Sequence, residues 1–259
     1  MSAAGKIYAV ASGKGGVGKT FLAITLAHAM AQQGARVLLF DADFGLANVD
    51  VQLGLMPQRD LATILAGQAT LGQAVLHHAG GFDILAGRSG SGALASLDAA
   101  AFARVQETLA LARRDYDAVV LDLGAGLERS VRRLAVLADT LLVVVIDEPT
   151  SLTDAYAVLK LYAADQGNDP RVIVNQATNA TAGERTYATI ARACASFLGI
   201  TPIQAGIVRR DDRVRDAIRR QTLLLTRHPS TPAGADVERI AGSLLVLPET
   251  TTHVMRMVP

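Results

Sequence analysis

Eight residues near the N-terminus have the types and spacing needed to hold phosphate: Gly13-Lys14-Gly15-Gly16-Val17-Gly18-Lys19-Thr20. They fit the pattern G-x-x-x-x-G-K-[ST]. A strand-like apolar run precedes them and a helical pattern follows, which is the context this motif requires. The glycines let the backbone curl so that its N–H groups point at phosphate oxygens. The helix N-terminus behind them adds about half a positive charge. The expected nucleotide cradle is Gly13, Gly15, Gly16, Val17, Gly18, Lys19, Thr20 and Phe21. Lys19 is expected to reach the β- and γ-phosphates, and the Thr20 hydroxyl to ligate Mg²⁺. Lys14 is a second lysine in the same loop. It cannot easily share its own phosphates with Lys19; the plain alternative is a solvated loop lysine.

Ligands of a parallel sheet sit at the carboxyl ends of its strands, so the polar residues there matter most. The run Arg36–Phe40 ends in Asp41-Ala42-Asp43. The run Ala118–Leu121 ends in Asp122-Leu123-Gly124-Ala125-Gly126. Asp122, after four apolar residues, suits a carboxylate that holds Mg²⁺ through water, and the glycines after it would let the chain move near the γ-phosphate. Each of these aspartates also suits a turn or a helix N-cap. The run Val172–Asn175 ends in Asn175-Gln176. Ser151-Leu152-Thr153-Asp154 reads as a capping box with Asp154 at the third helical position.

Short apolar runs and longer helical patterns must position these residues. Strands are expected at Ile7–Ala11, Arg36–Phe40, Phe82–Leu85, Ala118–Leu121, Thr140–Ile146, Val172–Asn175 and Ile203–Ile207. Most are aliphatic throughout, as in strands buried on both faces. Helices are expected at Lys19–Gln33, Ala99–Arg113, Thr153–Ala164, Glu184–Phe197, Arg213–Arg219 and Gly234–Leu245. The alternation predicts an α/β fold: a doubly wound, mainly parallel sheet with helices on both faces. Residues 1–247 are expected to be one domain and 248–259 a tail. Gly87–Gly92 and His228–Gly234 read as local loops.

Composition narrows the function classes. Half of the 259 residues are apolar, 19% are charged, and the formal net charge is +1. A chain of this length buries a large core, and nothing global favours nucleic acid. The one cysteine, Cys194, excludes an intramolecular disulfide framework and a metal site made of cysteines from a single chain. No apolar run reaches the ~20 residues that span a bilayer. No signal peptide is evident, so a cytoplasmic location is expected.

The four motifs, in this order, resemble the deviant Walker A ATPases of the MinD/ParA type, and within them the flagellar-number regulators called FlhG or FleN. The resemblance runs from Lys6 to about Leu247. The segment Pro149–Lys160 and the His228-Pro229-Ser230 region favour the flagellar branch. The resemblance implies an ATPase that dimerises with ATP and Mg²⁺ and turns over slowly without a stimulator. Lys14 would be the signature lysine that crosses to the partner's nucleotide. Asp43 would orient or activate the attacking water, with Asp41 tuning it nearby. Asp122 would be the Walker B carboxylate and Asn175 would meet adenine, together with the loop around Val208–Asp212. Asp154 would sit on the helix that links nucleotide state to partners. Partners implied are a second copy of the chain, the GTPase FlhF or a flagellar transcription regulator, and the inner face of the membrane.

Three departures stand out. Phe21 replaces the second threonine that many relatives place near the α-phosphate. The short stretch before β1 is not expected to hold the extension that the resemblance associates with stimulating FlhF. The segment Pro248–Pro259 has two prolines, three consecutive threonines and one basic residue, Arg256. It lacks the basic face of a membrane-binding helix. Other readings stay in view. One is a MinD- or ParA-type ATPase for division-site placement or for partitioning DNA or cargo. Arg209, Arg210, Arg213, Arg215, Arg219 and Arg220 cluster near one helix, but Asp211, Asp212 and Asp216 interrupt them. DNA is therefore not the expected partner, and a salt-bridged face is. A metallocluster carrier would need paired cysteines, which are missing.

Overall fold

In a computed structural model the described residues are 4–87 and 98–245. The tail 248–259, and residues 88–92 of the loop expected at Gly87–Gly92, lie outside them. Eight strands form one sheet in the order β3-β4-β2-β5-β1-β6-β7-β8. They are β1 (Lys6–Ser12), β2 (Val37–Ala42), β3 (Leu76–His77), β4 (Asp83–Leu85), β5 (Ala118–Ala125), β6 (Thr140–Val145), β7 (Pro170–Ala177) and β8 (Ile203–Arg209). The helices are α1 (Lys19–Gln32), α2 (Val49–Leu53), α3 (Leu61–Leu65), α4 (Leu71–Ala74), α5 (Ala99–Asp115) and α6 (Arg129–Ala135). They continue with α7 (Pro149–Ala164), α8 (Ala180–Leu198), α9 (Asp212–Arg219), α10 (Leu224–Arg227) and α11 (Pro232–Leu245).

All pairings are parallel except β3 with β4. Side chains of a strand alternate between faces, and here the alternation separates two cores. Ile7, Ala9 and Ala11 of β1 face the core closed by α3 to α8. Tyr8 and Val10 face the core closed by α1, α2, α9, α10 and α11. Both sets must be apolar, which is why the central strands read as unbroken apolar runs. The Tyr8 hydroxyl donates to Leu244 O at 2.8 Å in the interior and pins the last helix to the central strand.

The expected architecture is present, with shifted boundaries. β2 and β5 continue through their polar residues, so Asp41 and Asp122 lie within paired strands rather than just after them, and β7 runs two residues past Asn175, already expected inside its strand. Asp41 and Asp122 are register partners on neighbouring strands. Five short helices and the two-residue β3 escaped the periodicity, because four to seven residues hold too little of a repeat to register. The capping box at Ser151–Asp154 is not formed. Helix α7 starts earlier, at Pro149 with Glu148 before it. Proline's fixed φ suits the first helical turn. The Ser151 hydroxyl instead accepts from Ile146 N at 3.1 Å, and Asp154 is interior to the helix.

Candidate nucleotide-binding and switch site

The glycine loop leaves β1 at the centre of the sheet, where chain connections diverge to either side. Gly16 and Gly18 hold φ of 82° and 88°, a region L side chains rarely adopt. No side chain caps α1, so its first-turn N–H groups face the loop without a side-chain acceptor. Gly13 is needed for a different reason. A Cβ there would stand 2.5 Å from Asp154 C, Cβ and O. The loop therefore lies directly on the first turns of α7.

The two lysines take different places. Lys19 is buried and donates to Asp122 Oδ1 at 3.0 Å. Lys14 is half-exposed and turned outward. Its ammonium meets Glu148 Oε2 at 2.6 Å and Thr150 Oγ1 at 3.1 Å, both at the start of α7. Asp122 is fully buried, and burial raises its pKa above the usual carboxylate range while Lys19 and the Thr20 hydroxyl pull it down. Its Oδ2 is buried with no hydrogen-bond partner. A buried carboxylate oxygen left open beside a threonine hydroxyl fits a hydrated Mg²⁺, the ion expected on Thr20 and Asp122.

Asp41 is 1% exposed. Burial first, and then the Asp122 charge, push its pKa up to about 7. It organises the loop that follows β2: Oδ1 accepts from Asp43 N at 3.1 Å, and Oδ2 from Asn48 N and Val49 N, both at 3.0 Å. Asp43 Oδ1 accepts from Gly45 N at 3.1 Å and Leu46 N at 2.9 Å. The turn role left open by the sequence is thus what this carboxylate performs here. Its position still faces the second loop, since a Cβ on Gly124 would come within 3.2 Å of Asp43 Oδ1.

On the other flank, Asn175 is buried and donates through Nδ2 to Val17 O at 2.8 Å. It ties β7 to the glycine loop. Gln176 beside it adopts a left-handed φ of 56°. Phe21 does not offer its side chain to the cradle: it is buried in the core with α1, which leaves only its backbone N–H to face the loop. Sequence reasoning could not choose a residue in the Val208–Asp212 loop. The structure singles out Asp211, the N-cap of α9 two residues beyond the end of β8, whose Oδ2 is buried without a partner. Only tertiary placement reveals that open oxygen.

The model of the CobQ/CobB/MinD/ParA nucleotide binding domain matches residues 8–224. The chain belongs to this family. The MinD/ParA-type assignment read from the motifs therefore holds, and the loop at Gly13–Thr20 lies inside the matched nucleotide-binding domain. Antiactivator FleN of Pseudomonas aeruginosa is 37% identical over 237 residues, 91% of this chain and 85% of that protein. The flagellum site-determining protein YlxH of Helicobacter pylori is 28% identical over 248 residues, 95% of this chain and 83% of that protein. The septum site-determining protein MinD of Pyrococcus horikoshii, solved with Mg-ADP, superposes with a TM-score of 0.77 at 21% identity. It covers 92% of this chain and 95% of its own. The shared fold places this MinD/ParA-type chain among P-loop proteins with a mainly parallel sheet. Cys194 of this family member is buried, and burial raises its thiol to about 11, so it is an inert core residue. Among the described residues no helix is long and apolar enough to cross a membrane.

Proposed function

We propose that this chain is an ATP-driven switch that dimerises face to face, hydrolyses ATP with Mg²⁺, and controls flagellar number, placement or synthesis. The observation that carries the reading is the division of labour between the two loop lysines. Lys19 lies inward on Asp122, where it meets the chain's own phosphates. Lys14 lies outward on Glu148 and Thr150, free to leave them for a partner's nucleotide. The likeness to FleN and YlxH supports the flagellar assignment.

Catalysis here is positioning and electrostatics. The loop N–H groups and Lys19 hold the β- and γ-phosphates, and Lys14 adds its charge from the second subunit. Thr20 and, through water, Asp122 would hold Mg²⁺, which would supply charge neutralisation to the phosphates. Asp43 orients the attacking water once its turn contacts open, and Asp41 keeps the surrounding loop folded. Asn175 and Asp211 present acceptor oxygens to the adenine amino group. The outward Lys14 lies on α7, and Gly13 packs on the same helix, so a change at the phosphates reaches α7 directly. Residues 1–247 act as the ATPase unit, at the inner face of the cell membrane or in the cytoplasm. The partner is a flagellar regulator or the FlhF GTPase.

Light scattering tests the core of this. Mass should double with ATP and Mg²⁺ and stay monomeric with ADP. Lys14→Ala should keep ADP affinity and lose ATP-driven doubling. Normal dimerisation and turnover in Lys14→Ala would refute the reading. A pull-down with ATP against ADP, probed for FlhF and flagellar regulators, tests the assignment of partners.

A further inference from the structure

Arg209 closes β8, and Arg210 and Asp211 carry the chain into α9. Of the arginines clustered there, Arg220 pairs with Asp216, as a salt-bridged face requires, but Arg209 turns away from these aspartates to α11. Its Nε donates to Asp236 Oδ2 at 2.8 Å and its Nη2 to Oδ1 at 2.9 Å. The same Oδ2 accepts from Arg209 N at 3.0 Å, so Asp236 holds both the side chain and the backbone where the strand ends. Arg239, one turn further along α11, donates to Oδ1 as well. The Asp236 side chain is 1% exposed. Burial works to raise its pKa, yet the contacts with Arg209 outweigh burial and hold the carboxyl below the ordinary value. The buried group is therefore charged. Well-packed apolar residues often stabilise a fold as much as a buried ion pair does, so stability alone does not account for this carboxylate.

The clamp sits on a rigid support. One turn beyond Asp236, Ile240 packs on β8 so closely that a Cβ on Gly206 would stand 2.5 Å from its Cγ1. On the opposite side, Arg210 N donates to Ala177 O at 2.8 Å, two residues past Asn175. The segment Arg209–Asp211 is thus held between α11 and the strand that carries Asn175. Asp211 Oδ1 accepts from Arg213 N at 3.0 Å, while Oδ2 is buried with no partner among the described residues. An open carboxylate oxygen two residues from a permanently charged guanidinium is a ready ion-pair partner. The Arg209 guanidinium indeed feels the charge of Asp236 first and that of Asp211 as well.

We propose that Asp236 is a positioning residue that sets base specificity: it captures the Arg209 guanidinium, so that Asp211 Oδ2 stays available to accept from the amino group of adenine. The inference rests on the reading of Asn175 and Asp211 as the base site. Guanine carries a carbonyl oxygen where adenine carries that amino group, and an open carboxylate repels it. With Arg209 released, Asp211 would be neutralised and a guanidinium, which only donates, would stand where an acceptor stood. Asp236 itself touches no nucleotide.

Calorimetric titration of the full chain with ADP, GDP and tripolyphosphate, a probe without a base, tests this. The parent chain should prefer ADP to GDP. Asp236→Asn keeps the shape and drops the charge. It should lose about tenfold in ADP affinity, narrow the preference over GDP, and keep tripolyphosphate affinity within about twofold. Asp236→Asn/Arg209→Met also removes the guanidinium and should regain most of the ADP preference. A carboxylate that merely supported the fold would give no such recovery. Four results would each overturn the inference: no ADP preference in the parent, parent-like ADP affinity in Asp236→Asn, equal losses for ADP and tripolyphosphate, or no recovery in the double variant. Asp211→Ala then shows what has failed. If it too leaves the ADP preference intact, the base-site reading falls; if it abolishes the preference, only the role of Asp236 falls.

Discussion

Gly13→Ala probes the contact between the phosphate loop and α7. Nothing about Gly13's own backbone demands glycine, since its φ is not among the positive ones. The demand comes from Asp154, three of whose atoms lie 2.5 Å from a Cβ at position 13. Carbon atoms in contact prefer about 3.5–4.0 Å, so loop and helix must part by roughly 1 Å. Two of the three atoms are helix backbone, which cannot rotate away. Overpacking of this kind costs about 1–3 kcal/mol, and the backbone partners place it at the upper end. Replacing glycine by alanine recovers about 0.4–1 kcal/mol from the unfolded chain. A net loss of about 2 kcal/mol lowers Tm by about 4–8 °C in a domain of this size. Scanning calorimetry of the nucleotide-free chain measures it directly. Gly15→Ala is the control, because nothing lies within 4 Å of its Cβ; its Tm should hold or rise slightly. ATP-driven dimerisation of Gly13→Ala should also weaken, because Lys14 and α7 would no longer keep their spacing. A Gly13→Ala chain as stable as the parent, or less affected than Gly15→Ala, would refute the reasoning.

Lys19→Ala should weaken ADP binding about ten- to a hundredfold in calorimetric titration, the loss of a charge-assisted contact of roughly 1.5–3 kcal/mol. The variant should also unfold more easily, and more so at high pH, because Asp122 loses its buried partner and can escape only by taking up a proton. Asp43→Ala should keep ATP affinity, slow hydrolysis in a phosphate-release assay and accumulate dimer; lost ATP affinity would instead make Asp43 a binding residue. Asp41 sets a pH dependence. Its pKa is raised from the ordinary carboxylate value to about 7, so the folded chain binds its proton more tightly than the unfolded chain does. That stabilisation is complete below the ordinary value and is lost as pH rises toward and through about 7. Tm of the nucleotide-free chain should therefore fall between about pH 4 and pH 7 and level off above that, and Asp41→Asn should flatten the fall.

Much of this molecule is written locally. The loop Gly13–Thr20 is a contiguous string whose glycines and lysine act through their own backbone and reach. The central strands must be apolar on both faces, because α1 and α11 cover one side and α5, α7 and α8 the other. Both features are therefore legible in a run of residues, and so is the order of the motifs along a parallel sheet. Short helices such as α2 and α10 hold too few residues to show a period. What tertiary structure decided are the long-range meetings. Asp41 and Asp122 become neighbours only because β2 and β5 pair in that register. The partners of Lys14 are 134 and 136 residues away, and those of Gly13 lie on the same helix. Asp211's open oxygen becomes apparent only in the packed fold, where it is buried without a partner. Of the aspartates around α9, Asp216 does pair with its neighbour Arg220, and also with the distant Arg227 and His228, while Asp211 serves as the helix cap. Spacing along a chain fixes which groups share a helix turn, but a carboxylate's partner is chosen by whichever donor the packed fold brings to it.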